Sequence, residues 1–327
     1  MKTILNELID HQSLSKAKAR EVLIELASGK FNPSQMSSFM TVYMMRNITV
    51  LELEGFRDAM LELCRSVSFE APMMDVCGTG GDGKNTFNIS TLASFVVAAA
   101  GQPVAKHGNY GVSSACGSSN VLEYFGYRFS NDADELRRSV DRANICFMHA
   151  PLFHPAMKNV APVRKELGVK TFFNMLGPMV NPAFPKKQLV GVFNLELARQ
   201  YGYLYQQSDK DFVILHSLDG YDEISLTGPF KYYSNSGEEV LEPADLGFEP
   251  VMVNDLDGGK SVEESAKIFM QVLEGKGTSQ QNAAVIANAG MALYCANQQA
   301  GLKHAIEQAK ETLVSGKALQ SFKNFLN

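Results

Sequence analysis

The sequence predicts an α/β protein in which a small all-helical N-terminal domain accompanies a larger domain with a mostly parallel central sheet wrapped by helices. Three observations carry this expectation. Nothing before Met74 reads as a strand. From Met74 onward, short apolar runs alternate with helical patterns, the arrangement that puts ligands at the carboxyl ends of parallel strands. Between the first strand and the first long apolar helix lies a glycine-rich run, Asp75-Val76-Cys77-Gly78-Thr79-Gly80-Gly81-Asp82-Gly83.

In the helical part, Ile4, Leu5, Leu8 and Ile9 form one apolar face. A second helix is expected over 15–28, with Gly29 to stop it. Asn32-Pro33 supplies a cap and a proline suited to the first helical position. Thr49 and Glu52 have capping-box spacing and open a fourth helix running through Cys64. The domains are therefore expected at 1–70 and 71–327. In the larger one, strands are expected at 74–77, 104–106, 145–148, 189–193 and 212–216. Helices are expected at 91–100, 118–125, 132–143, 155–167 and 195–207. The stretches 223–226 and 231–234 read as a later antiparallel pair, and the final fifty residues as helix, over 279–295 and from 302 to the end.

Composition narrows the function. The 327 residues are 45% hydrophobic and 20% charged, an ordinary globular balance. No apolar run reaches membrane-spanning length, and the first residues lack the build of a signal peptide. The net charge of −5 argues against a nucleic-acid partner. Cysteines at 64, 77, 116, 146 and 295 are scattered without a Cys-x-x-Cys pair, which favours reduced thiols in a cytoplasm and disfavours zinc. Cys77 and Cys116 border glycine loops and read as small packing residues rather than nucleophiles.

The chemistry is concentrated in four segments. Gly78, Gly80, Gly81 and Gly83 let successive backbone N–H groups curl into one concavity, and Ser90 and Thr91 stand where a helix begins; such a nest binds phosphate. The loop has neither the Gly-Lys-Ser/Thr ending of a Walker A loop nor Gly-x-Gly-x-x-Gly spacing. Alone, it is as readily a flexible turn. A second glycine-rich segment, Lys106-His107-Gly108-Asn109 followed by Ser113 through Asn120, makes a ligand with two anionic groups the better reading. In the third segment, Asp222-Glu223 offers hard oxygen ligands of the kind Mg²⁺ takes together with phosphates and waters, where a solvated turn is the alternative. In the fourth, Met157, Val160, Val163, Arg164 and Leu167 recur at helical spacing, so Arg164 either forks a carboxylate or merely covers apolar surface with its stem.

Taken together, Gly78-Thr79-Gly80-Gly81-Asp82, Asn88-Ile89-Ser90-Thr91, Lys106-His107-Gly108-Asn109, His154-Pro155-Ala156-Met157, Val163-Arg164-Lys165-Glu166-Leu167-Gly168, Asn174-Met175-Leu176-Gly177-Pro178 and Asp219-Gly220-Tyr221-Asp222-Glu223 resemble, in order, the anthranilate phosphoribosyltransferases. The resemblance spans roughly residues 5–313. It implies transfer of phosphoribose from phosphoribosyl pyrophosphate (PRPP) to the amino group of anthranilate, with Mg²⁺, in tryptophan biosynthesis, by a cytoplasmic homodimer joined through helical domains. By position, it implies PRPP binding by Gly78, Thr79, Gly81, Asp82, Thr86, Asn88, Ser90, Thr91, Lys106 and Ser118. Anthranilate falls to Gly78, His107, Asn109, Met157, Arg164 and Pro178, and metal to Ser90, Asp222 and Glu223. No general base is obligatory, His107 being the candidate if one assists. A segment near 170–185 is expected to return to the helical domain. Departures from the family pattern are Tyr110 for a frequent arginine, Asn120 for a frequent aspartate and Ser217 for a frequent glycine. Alternatives on the same scaffold are a pyrimidine nucleoside phosphorylase and a non-catalytic nucleic-acid-binding relative.

Overall fold

The computed structural model describes residues 1–111 and 116–327. Along the chain come α1 (Lys2–Ile9), α2 (Lys16–Ala27), α3 (Pro33–Met45) and α4 (Val50–Glu62), then β1 (Met74–Gly78), α5 (Ile89–Ala99), β2 (Val104–Gly108), α6 (Ser118–Tyr124), α7 (Ala133–Ala143) and β3 (Ile145–His149). Short helices α8 (Ala150–Phe153), α9 (Ala161–Leu167) and α10 (Phe173–Leu176) follow. The remainder comprises β4 (Lys187–Gly191), α11 (Leu195–Gln206), β5 (Asp211–Ser217), β6 (Phe230–Ser234), β7 (Gly237–Leu241), α12 (Val262–Leu273), α13 (Ser279–Ala296), α14 (Leu302–Val314) and α15 (Lys317–Leu326). These form two compact units, one of Met1–Val67 with Ala150–Pro182, the other of Ser68–His149 with Ala183–Asn327.

The helical unit is built by local chemistry and closed by distant packing. Asn32 with Gln35, and Thr49 with Glu52, form reciprocal capping boxes that start α3 and α4. Helices α2 and α4 approach closely where Gly55 faces the Lys16 carbonyl; a Cβ at Gly55 would lie 2.4 Å from that oxygen. The returning segment belongs here because Phe172 stacks on Phe56 at 4.6 Å and meets Phe39 and Tyr43 edge-on. Val67 N–H also donates to the Pro182 carbonyl at 3.0 Å, joining the two ends of the unit. The return starts at Ala150, some way before the expected 170, since the chain leaves the sheet directly after β3.

The second unit holds a seven-stranded sheet of order β3-β2-β1-β4-β5-β6-β7. Pairings β3–β2, β2–β1, β1–β4 and β4–β5 are parallel, and β5–β6 and β6–β7 antiparallel. Helix α5 is buried almost all round, and Phe95 on it meets Phe269, Phe322 and Phe325.

The structure corrects four element expectations. The antiparallel partner of β6, beyond its edge with β5, is β7; residues 223–226 form a loop because both backbone groups of Ile224 are taken by the Asn288 side chain and Leu226 has φ 59°. The expected helix over 155–167 is a 3₁₀ turn (Pro155–Asn159) followed by α9, since Pro162 offers no N–H to continue a helix from the preceding turn. The last helix breaks at Gly316, φ 76°. Helix α12 was not anticipated, although Ser261 caps it by accepting from the Glu264 N–H.

Candidate active site

The chain runs from β1 to β2 and β3 on one side of the sheet and returns to β4 on the other, so the ends of β1 and β4 form the switch point where open α/β sheets bind ligands. Gly78 ends β1, Gly191 ends β4, and the two pair in register. The loop carrying Asp222 lies directly over both. A Cβ on Gly78 would stand 2.4 Å from Asp222 Oδ2, and one on Gly191 only 1.5 Å from the Asp222 carbonyl oxygen. Neither glycine has a positive φ; space is what these positions require. The run beyond β1 then curls, with φ of 64° at Gly80 and 75° at Gly81, and the Gly80 N–H donates to Asp222 Oδ2 at 2.6 Å.

Glu223 meets the start of α5. The Ser90 N–H donates to Glu223 Oε1 at 2.9 Å, and the Thr86 hydroxyl reaches Oε2 at 3.4 Å. Helix α13 fixes this pair through Asn288, whose side chain accepts from the Ile224 N–H at 3.0 Å and donates to the Ile224 carbonyl at 2.9 Å. The Lys106 ammonium donates to the Val76 carbonyl at 2.6 Å and lies 3.5 Å from Ser90 Oγ. Gly78, Thr79, Gly81, Asp82, Thr86, Asn88, Ser90, Thr91, Lys106, Asp222 and Glu223 thus belong to one neighbourhood around the ends of β1 and β4.

Two features of that neighbourhood are left open for a ligand. The Thr79 hydroxyl and Asn88 Oδ1 are buried and have no hydrogen-bond partner, a state costly enough to point to a missing group. The carboxylates are also under strain as charges. Burial, then the neighbouring Glu223 and Asp82, push Asp222 well above the usual carboxylate range. Burial raises Glu223 to about 7 although the Ser90 N–H and Lys106 pull it down. Lys106 itself is lowered by burial, partly offset by Asp75. Two raised carboxylates beside a serine hydroxyl are a set that could hold a divalent cation such as Mg²⁺, which shares its shell with phosphates and water. Among the described residues no group of three or more His, Cys, Asp or Glu side chains forms a complete protein cage.

The second loop follows β2. The His107 N–H donates to Asp75 Oδ1 at 3.2 Å. Both the Ser118 hydroxyl (3.2 Å) and the Ser119 N–H (3.1 Å) donate to the Asn109 carbonyl, leaving Asn109 exposed at the turn. Asn120 Oδ1 accepts from the N–H groups of Gly111 (2.9 Å) and Gly117 (3.0 Å), tying the loop's neck. Ser113, Ser114 and Ala115 of that loop lie outside the described residues. Burial raises the thiols of Cys77 and Cys116, which makes both poor nucleophiles.

In the helical unit, Arg164 lies on α9 with its guanidinium 5.1 Å from the centre of the Phe173 ring. Among the described residues its guanidinium makes one long hydrogen bond, 3.4 Å, to Asn174 Oδ1, which also accepts from the Thr171 N–H at 3.1 Å. Burial lowers the Arg164 pKa, so this cation is short of water as well as of partners. Pro178 is buried and Met157 half-buried in the same unit, but the break at Val160 puts Met157 and Arg164 on separate turns. Sequence reasoning missed Gly191, Asn288 and Asp75. A lone asparagine inside the apolar run Val285-Ile286-Ala287-Asn288-Ala289 was the available signal for one of them.

Comparison with known proteins identifies the family. The model of the glycosyl transferase family helical bundle domain matches residues 2–64, and that of the glycosyl transferase family a/b domain matches residues 70–319. The anthranilate phosphoribosyltransferase of Flavobacterium psychrophilum is 60% identical over 324 residues, covering 99% of this chain and 98% of the relative. The crystal structure of the Thermus thermophilus enzyme of that name superposes with a TM-score of 0.91 at 33% identity, over 98% of each chain. The Saccharomyces cerevisiae enzyme in complex with PRPP and Mg superposes with a TM-score of 0.91 at 26% identity, over 98% of this chain and 95% of that one. On these grounds the chain belongs to the anthranilate phosphoribosyltransferase family.

Proposed function

We propose that the chain transfers the phosphoribosyl group of PRPP to the amino group of anthranilate, releasing pyrophosphate, in tryptophan biosynthesis. The observation that carries the reading is the placement of Asp222-Glu223 on the glycine ends of β1 and β4, beside the N-terminus of α5. In the step, the bond from ribose C1 to the pyrophosphate oxygen breaks and a bond from C1 to the anthranilate nitrogen forms. The nitrogen then gives up a proton to solvent or to the departing pyrophosphate.

The glycine loop's N–H groups, the Thr79 hydroxyl and Asn88 Oδ1 line the PRPP phosphates and ribose, with Gly81, Asp82, Thr86, Thr91 and Ser118 around them. Lys106 supports the pyrophosphate end through Ser90. Ser90, Asp222 and Glu223 hold Mg²⁺, which when bound neutralises charge on the pyrophosphate. Catalysis by this chain is then charge stabilisation and positioning. A weakly basic aromatic amine needs no obligatory base; His107 is the candidate if one assists. Arg164 forks the anthranilate carboxylate, with Gly78, His107, Asn109, Met157 and Pro178 contacting the rest of the molecule. Exposed Ile9, Met44, Met45 and Leu51 support a homodimer joined through the helical unit. Five thiols without a disulfide support a cytoplasmic setting, and no described helix is long and apolar enough to cross a membrane.

Anthranilate fluorescence tests the reading. Its loss must require enzyme, PRPP and Mg²⁺ together; loss without PRPP, or none with all three, refutes it.

A further inference from the structure

His149 ends β3, in register with Gly108 at the end of β2, and its ring is buried. Phe129 stacks on it at 4.3 Å and 17°, and Tyr110 meets it edge-on at 5.0 Å and 80°. Its Nδ1 is 2.9 Å from the Ser119 hydroxyl. A buried imidazole costs desolvation that an apolar ring would not, so the polar bond calls for a reason. Two connections supply it. Ser119 donates its N–H to the Asn109 carbonyl at 3.1 Å, and Tyr110 follows Asn109 in the chain, its N–H donating to Asn109 Oδ1 at 2.8 Å. Both sides of Asn109 therefore lead back to the same imidazole, one through a hydrogen bond and one through ring contact.

We infer that His149 is a positioning residue for the anthranilate side of the reaction: through Ser119 and Tyr110 it holds Asn109 at one orientation. Tyr110, standing where the family pattern has a frequent arginine, serves as the aromatic partner of that imidazole rather than as a substrate-facing cation. Burial keeps His149 below the ordinary imidazole pKa, so the neutral ring bonds Ser119 at neutral pH. The inference rests on the proposed contact of Asn109 with anthranilate.

Steady-state kinetics of His149→Phe, Ser119→Ala, their double variant and Asn109→Ala test it. His149→Phe keeps a ring for Phe129 and Tyr110 while removing Nδ1; Ser119→Ala removes the hydroxyl with minimal risk to folding. Each single variant is expected to raise KM for anthranilate roughly three- to tenfold, with kcat and KM for PRPP nearly unchanged, and the double variant to match the larger single effect. Unchanged KM for anthranilate in Ser119→Ala, additive effects in the double variant, or parallel losses for both substrates would overturn it. If Asn109→Ala raises that KM and the other variants do not, the positioning role alone fails. If Asn109→Ala has no effect, the Asn109 assignment falls and takes the inference with it.

Discussion

Two buried carboxylate sites, one in each unit, are treated in opposite ways by the fold. Glu52 on α4 is fully buried, and Oε1 accepts from the Leu14 N–H (2.9 Å), the Tyr43 hydroxyl (3.0 Å) and the Arg46 guanidinium. Oε2 accepts from the Thr49 N–H and hydroxyl, both at 2.9 Å. Burial pushes its pKa up, but Arg46 and these donors outweigh it and hold the carboxyl below its ordinary value. Asp222 is buried and Glu223 half-buried, each with fewer donors, and both are pushed up. A carboxylate whose charge is answered within its own unit ties elements together; a pair whose charge is unanswered is a place for a ligand.

Substitution at the active-site pair breaks this contrast most strongly. Asp222→Asn and Glu223→Gln are expected to lower kcat/KM for PRPP roughly a thousandfold, as loss of preorganised charge stabilisation does. Thermal melts should show a midpoint unchanged or raised, because an uncompensated buried charge is gone. A fall in midpoint would make them structural residues like Glu52. The converse holds for Glu52→Gln: urea unfolding should show about 3 kcal/mol or more lost, the range for breaking one member of a buried ion pair. Turnover measured where the variant remains folded should be near normal.

His154 sharpens the comparison with a buried base. Burial lowers it to about 4, against a slight raising effect of its bond to the Val180 backbone. The unfolded chain binds a proton below the ordinary histidine pKa while the folded one does not, so its contribution is complete above about 6.5 and is lost as pH falls toward 4. The total is on the order of 3 kcal/mol. Melts from pH 7 to 4.5 should fall more steeply for the parent chain than for His154→Gln. Smallest in effect is Arg164→Ala, a cation with one long hydrogen bond. It should raise KM for anthranilate about tenfold with little change in kcat. A collapse of kcat at unchanged KM would remove Arg164 from anthranilate binding.

What the sequence made legible was chemistry between near neighbours. The caps of α3 and α4, the five parallel strands and the glycine run are each written within a few residues. Residues 223–226 misled because Glu-Ile-Ser-Leu alternates like a strand, whereas the partner of its backbone is a side chain on α13. The early return at Ala150 was hidden because no local signal between 150 and 170 marks where the chain leaves the sheet, directly after β3. The same holds at the active site: the glycine loop and Asp222-Glu223 stand out locally. Gly191 and Asn288, which set where that pair lies, come from elements far along the chain and have no local signature.

The interleaving of the two units has a consequence for synthesis. The first four helices leave the ribosome before Phe172 exists, and all of Ser68–His149 must be made before the segment that completes their core. Over the same interval β1, destined for the middle of the sheet, has only β2 beside it, and its other edge stays open until β4 appears. Neither unit can therefore finish folding as an N-terminal module ahead of the other, and the nascent chain carries an incomplete helical core and an unpaired strand edge together, the combination that invites chaperone attention.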